Sequence, residues 1–373
     1  MESSAQTTDR PTAASSVTDQ DGSLLRSAVR AGLVTGLELS EGAVGLRGAA
    51  LLLHGRPIAY ARGLAPSGPG AGAAGERAVP DREAVCLRLL EGTGLVPELV
   101  GDGSGPVVWT SAISGESLTG VRGTMADLAE ICQRWGAALA TLHGTAPDGD
   151  GRRGAGWSAT GSAGVTGAGL TAPEAPRPWV LDPDRPPRTD RPPAPGSARA
   201  YVLRVLRGDR GLRRAGARVA DRWTSDHWIH GDLTGEKVLV RRGPELQVRF
   251  VDLRGAGRGD QGWDLAGALD TVAELTAGPR APWGSASGTC LADYLMQGYR
   301  RSGGAATVDG STRALRMVAR AWSSAADLDA RSGHPASLHP AAGHWTEAGR
   351  LTERLVLARE LAARSARFGP VAA

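Results

Sequence analysis

Asp232, Lys237 and Asp252 occupy positions where phosphoryl-transfer chemistry needs particular side chains. Moving a phosphoryl group from a nucleoside triphosphate to a hydroxyl requires a carboxylate that receives or orients the hydroxyl proton. It also requires a second residue and a later aspartate that hold metal ions on the phosphates. Asp232, in His230-Gly231-Asp232, fits the first role, with His230 as a group bracing the loop. Asp252 closes the apolar run Val248 to Val251 and fits the metal role, where its oxygens would ligate Mg²⁺. The intervening position, five residues after Asp232, is normally asparagine. Here it is Lys237, the only lysine in the chain. An ammonium has three donors and no lone pair, so it cannot ligate a cation. Either catalysis is impaired, or the Lys237 charge replaces one metal, or the strand lysine that such sites also use, and contacts phosphate directly.

The same chemistry asks for a lysine on a strand of the nucleotide-binding sheet, paired with a glutamate on the next helix. Of 43 basic residues, all but Lys237 are arginine, so no such lysine exists. Arg62, beside Ala61, falls where it is expected and is the candidate phosphate contact, with Glu83 as its helix partner. The segment Glu41 to Gly48 is a candidate phosphate-covering turn. Each position has a structural alternative: a turn aspartate for Asp232 and Asp252, a surface arginine for Arg62, a solvated helix residue for Glu83. Asp260 and Asp264 read as a helix cap and a brace for the Asp232 loop, and Trp263 as a packing residue. His334, His339 and His344 recur in a proline-containing loop and read as solvated.

The elements that must position these residues follow from periodicity. Residues 1–23 are polar and read as a disordered tail. A short helix is expected over Ser27 to Leu37. Strands are expected at Ala49–His54 and Pro57–Ala61, joined by a turn at Gly55–Arg56, and again at Leu95–Val100 and Val107–Thr110. Helices are expected over Pro80–Leu90, Met125–His143, Arg199–Trp223, Thr289–Arg301, Ser311–Ala330 and Trp345–Arg367. Residues 144–197, rich in Gly, Ser, Pro and Arg, read as a flexible insertion. The catalytic loop spans 228–240 and the metal-aspartate segment 248–266.

Bulk properties narrow the class. The net charge is +4, and the arginines are interleaved with acids without a long basic run, which argues against a nucleic-acid partner. Three scattered cysteines give neither a disulfide framework nor a zinc site, which suits a reducing cytoplasm. No run approaches the roughly 18 apolar residues of a membrane span, and Met1 to Ala5 lacks signal-peptide character.

Several local patterns, in order, resemble the aminoglycoside phosphotransferase/choline kinase family. They are Val96-Pro97-Glu98-Leu99-Val100, Ile113 to Leu118, Ala137 to His143, His230-Gly231-Asp232, Val251-Asp252, and Gly259 to Ala266 with its Trp263-Asp264-Leu265 core. Together they cover roughly residues 45 to 275. The resemblance implies an α+β, two-lobed, protein-kinase-like fold, with a small sheet-bearing N-lobe over 24–118 and a large helical C-lobe over 119–373. It implies ATP or GTP with Mg²⁺ as cofactors, and a small molecule or modified peptide as acceptor. In its helical C-terminus and weak N-lobe the chain is most similar to the kinase-like proteins of lanthipeptide and thioamitide biosynthesis, which implies a partner enzyme. The alternative is a pseudokinase that binds a peptide or partner.

Overall fold

The computed structural model describes residues 24–25, 27–29, 31–34, 44–47, 50–54, 56–63, 82–101, 107–146, 171–185, 193–277, 288–332 and 345–368. The expected tail, much of the expected insertion, and His334, His339 and His344 lie outside them. The chain divides into two compact units, Met1–Asp81 with Leu99–Ala112, and Arg82–Glu98 with Ile113–Ala373. The N-lobe boundary expected at 118 differs from this division, which falls at 112 and assigns 82–98 to the larger unit.

The smaller unit is a five-stranded antiparallel sheet in the order β1-β2-β3-β5-β4. Its strands are β1 (Val44–Arg47), β2 (Ala50–Leu53), β3 (Arg56–Gly63), β4 (Leu99–Val100) and β5 (Val107–Ser111). Apolar and β-branched residues favour these strands. Pro57 has no N–H for a ladder bond, and the register of β2 against β3 shifts between Leu51 and Leu52, next to the Leu52–Pro57 pair. Leu51, Ala59, Ala61 and Trp109 pack with Ala28 and Val34, and the Trp109 indole N–H donates to Ser27 Oγ at 3.1 Å. Two local expectations are corrected here. Residues 44–47 of the expected phosphate-covering turn are strand β1, paired with β2. The helix expected from Ser27 to Leu37 is already a turn at 31–34, where Gly32 takes a φ of +71° that favours glycine.

The larger unit carries eight helices among its described residues: α1 (Arg82–Leu89), α2 (Met125–Gly144), α3 (Ala198–Gly208), α4 (Arg210–Arg222), α5 (Gln261–Thr276), α6 (Gly288–Arg301), α7 (Gly310–Ser332) and α8 (Trp345–Phe368). Two small antiparallel ladders join them. One pairs β7 (His227–Ile229) with β10 (Gly257–Gly259), and the other runs β6 (Glu116–Ser117), β8 (Val238–Arg241), β9 (Gln247–Phe250). Thr124 and Asp127 form a capping box that starts α2. The single helix expected over 199–223 is broken at Asp209, whose backbone is extended at φ −85°, ψ 115°, and whose carboxylate accepts from Leu212 N–H to start α4. Asp209 competes with its own helix for backbone donors, and the second helix wins. Apolar residues of α3, α4, α7 and α8 build one core with Val180 and Trp263. Helices α2 and α6 touch through glycines. A Cβ on Gly136 would lie 2.0 Å from Leu295 O, and one on Gly298 2.0 Å from Gln133 O. Among the described residues no helix is long and apolar enough to cross a membrane.

Candidate active site

The turn from β7 carries His230, Gly231 and Asp232, and it is fixed from below by Asp264 on α5. The buried Asp264 carboxylate accepts the backbone N–H of His230 at 2.5 Å and of Gly231 at 2.9 Å. Burial alone would raise the Asp264 carboxyl. His143, the His230 ring and those backbone donors outweigh it and hold the group below the usual range. The Trp263 indole N–H donates to Gly231 O at 2.9 Å. Gly231 has φ +78°, and a Cβ there would meet Gly255 O at 2.1 Å, so only glycine fits this crossing. Asp260 caps α5, accepting from Gly262 N–H at 2.8 Å. The sequence reading of Asp260 and Asp264 as cap and brace matches this geometry.

His230 is fully buried. Its Nε2 lies 2.9 Å from Val251 O, and its Nδ1 accepts from Asp232 N–H at 3.4 Å. Those two bonds assign the proton to Nε2. Burial, the largest influence, lowers the His230 pKa despite the pull of Asp264. With both ring nitrogens engaged, His230 joins the Asp232 turn to the strand that delivers Asp252.

Lys237 lies between the two aspartates. Its ammonium pairs with Asp232 Oδ2 and stands 3.1 Å from Asp252 Oδ2. Val251 N–H donates to Lys237 O at 3.0 Å, which ties the lysine backbone to the Asp252 strand. Two arginines complete the group. Arg254 Nε and Nη2 reach Asp252 Oδ1 and Oδ2 at 2.6 and 3.0 Å, a bidentate fork. Arg316 on α7, 4 % exposed, stands 3.5 Å from Asp232 Oδ1, donates to Leu233 O at 2.8 Å and covers the Trp263 ring at 5.2 Å. Burial pushes the Asp232 carboxyl up, but Arg316 and then Lys237 outweigh it and bring it down to about 2. Asp232 is nevertheless half exposed. Asp252 takes the left-handed backbone, φ +66°, that aspartate tolerates.

Glu83, buried on α1, accepts Leu253 N–H at 3.0 Å, so it holds the residue after Asp252. Arg62 pairs through its backbone with Val108 in β3, one residue beyond the buried Ala61. The sequence reading missed Arg254 and Arg316. Arg254 could have been noticed as a base two residues past Asp252. Arg316 gave no signal, being one arginine of many on an amphipathic helix far along the chain.

A family model described as the phosphotransferase enzyme family matches residues 73–303, more than half of the chain. The chain belongs to that family. Among solved structures, this phosphotransferase-family chain is similar to a choline kinase of Streptococcus pneumoniae, at 12 % identity and a TM-score of 0.52, covering 92 % of this chain and 99 % of that one. It is also similar to an ethanolamine kinase of Plasmodium vivax, at 10 % identity and a TM-score of 0.50, covering 91 % and 89 %. At such identities these likenesses speak for the fold. A search of the curated proteins finds no match. The α+β, kinase-like phosphotransferase fold is therefore that of this chain.

The Mg²⁺ that this fold implies does not fit the donors present. Magnesium demands near-octahedral oxygen ligands. Both Asp252 oxygens are held by Arg254, one of them also by Lys237, while Asp232 faces Lys237 and Arg316. Among the described residues no group of three His, Cys, Asp or Glu side chains could hold a metal ion.

Proposed function

We propose that this phosphotransferase-family protein transfers phosphoryl groups from ATP to a hydroxyl of a small molecule or modified peptide, in ribosomal-peptide biosynthesis beside a partner enzyme. The observation that carries the phosphoryl-transfer part of this reading is Asp232: ionised, half exposed, and fixed in position through His230, Asp264 and Trp263. A carboxylate with a pKa near 2 is a weak base. Its contribution is to accept the hydrogen bond of the incoming hydroxyl and aim its oxygen. Little more is required, because the transferring group is metaphosphate-like and the attacking oxygen carries its proton late. Lys237 and Arg254 are the cations nearest to Asp252 for charge developing on phosphate oxygens.

The test is transfer of label from [γ-³²P]ATP to a panel of serine- and threonine-containing peptides, amino sugars and amino alcohols. Transfer by the wild type, reduced by about a hundredfold or more in Asp232→Asn, supports the reading.

One observation favours a second reading. The Lys237 bridge ties both aspartates together without a ligand, as in a pseudokinase kept for binding a peptide or partner. Saturable binding of a precursor peptide with no label transfer to any acceptor would select it.

A further inference from the structure

Two protein cations, Lys237 and Arg254, surround Asp252, the residue the sequence offers as a metal ligand. The Lys237 ammonium donates to Asp232 and forms an ion pair with Asp252 at 3.1 Å. Arg254 spends Nε and Nη2 on Asp252. Among the described residues, the Lys237 ammonium makes no further side-chain hydrogen bond and Arg254 Nη1 makes none. Asp252 is 10 % exposed, Lys237 19 % and Arg254 70 %, so a largely buried carboxylate presents two cations outward. A divalent ion entering here would have to displace Lys237 from two carboxylates and Arg254 from one, beside charges of its own sign. A phosphate chain needs no such exchange, because its oxygens accept from donors already in place.

We propose that Lys237 and Arg254 bind the phosphates of a nucleoside triphosphate directly, without a divalent metal, and that Asp252 is the positioning residue that holds the two cations. This rests on the reading of the chain as an ATP-using phosphotransferase and specifies how that site meets its nucleotide. Asp252 thus changes role relative to the sequence reading, from metal ligand to anchor for a cationic pair. Arg254 becomes a phosphate-binding residue that no motif singled out.

The experiment is isothermal titration of the full chain with ATP and with inorganic tripolyphosphate, once in EDTA and once in excess Mg²⁺. The expected result is binding of both probes in EDTA, with a Kd within threefold of that in Mg²⁺. Arg254→Gln and Lys237→Gln should each weaken binding in EDTA by at least tenfold. Circular dichroism is the check on folding, and the exposure of Arg254 makes its variant the safer of the two. Binding of ATP only in the presence of Mg²⁺ overturns the inference and leaves the phosphotransferase reading standing. Wild-type affinity in a folded Arg254→Gln variant overturns the assignment of Arg254. Absence of ATP binding in either buffer overturns the inference and the ATP-using reading together.

Discussion

Glu83 Oε1 accepts the backbone N–H of Leu253 at 3.0 Å, so helix α1 grips the chain one residue after Asp252. The same helix sends Arg82 Nη1 to Ala256 O at 3.4 Å and places Cys86 Sγ 3.6 Å from the same oxygen, which fixes the 253–256 segment at several points. The Glu83→Ala variant leaves a buried donor without its acceptor and should lose about 1–3 kcal/mol of stability. The Glu83→Gln variant keeps an acceptor and should lose less. Urea denaturation of the two, compared with wild type, checks the order.

Asp264 has more to lose. It satisfies two backbone donors at once in a fully buried setting. We expect Asp264→Ala to cost about 3 kcal/mol or more, with the Asp232 loop the first region to gain hydrogen exchange. A variant with normal stability and unchanged exchange at 230–232 would show that the carboxylate is not the brace.

Charge compensation at Asp232 predicts a titration. Its folded carboxyl lies near 2 because Arg316 and Lys237 outweigh the effect of burial. A depressed carboxyl contributes stability that is present above the unfolded value near 4 and is lost as the pH falls through about 2. Lys237→Asn removes one of the two cations, so the Asp232 pKa should rise and the acid window should narrow. Carbon-detected NMR of the aspartate carboxyls reads both values directly.

Asp270 titrates in the opposite direction. It is buried on α5, with neither oxygen hydrogen-bonded and Arg313 Nε 3.6 Å away. Burial raises its carboxyl to about 7 against the pull of Arg313 and Arg316. A raised carboxyl favours folding while neutral, fully so below the unfolded value near 4, and the benefit is lost as the pH rises through about 7. Relative to Asp270→Asn, wild type should therefore lose melting temperature between pH 4 and pH 7. Parallel melting curves across that range would contradict the prediction.

The close approach of α2 and α6 gives a purely steric prediction. A methyl group on Gly136 or Gly298 would lie 2.0 Å from a backbone carbonyl of the facing helix, where no side chain can rotate away. Gly136→Ala should cost at least about 1–3 kcal/mol despite the better helix propensity of alanine. Thermal melting of the single variants, and of the pair, checks it.

What the sequence revealed depended on whether a residue's neighbours were local. The helix over 125–144 was legible because its apolar stripe and Thr124–Asp127 capping box lie within a few turns of one another. His230 and Asp232 in the loop, and Asp264 on α5, were legible because they fall in short motifs. The break at Asp209 was hidden, since an aspartate amid helix-forming residues reads as a tolerated interior position until its side chain is seen capping α4. The backbone donor that Glu83 holds, Leu253 N–H, lies 170 residues away and gave no signal in the sequence. Arg316 joins Asp232 from 84 residues away, through a helix whose periodicity states only that one face is buried. Pairings of that separation are set by tertiary packing, and periodicity is silent about them.

Because the chain contains one lysine, its ε-ammonium is also a built-in reporter. Feeding cells isotope-labelled lysine would produce a single side-chain resonance, and that resonance would originate between Asp232 and Asp252. Any ligand that disturbs the bridge would shift it without a tag or an introduced probe. Acylating reagents offer a complementary reading, since the Lys237 side chain is only 19 % exposed and becomes more accessible when something draws it from the bridge.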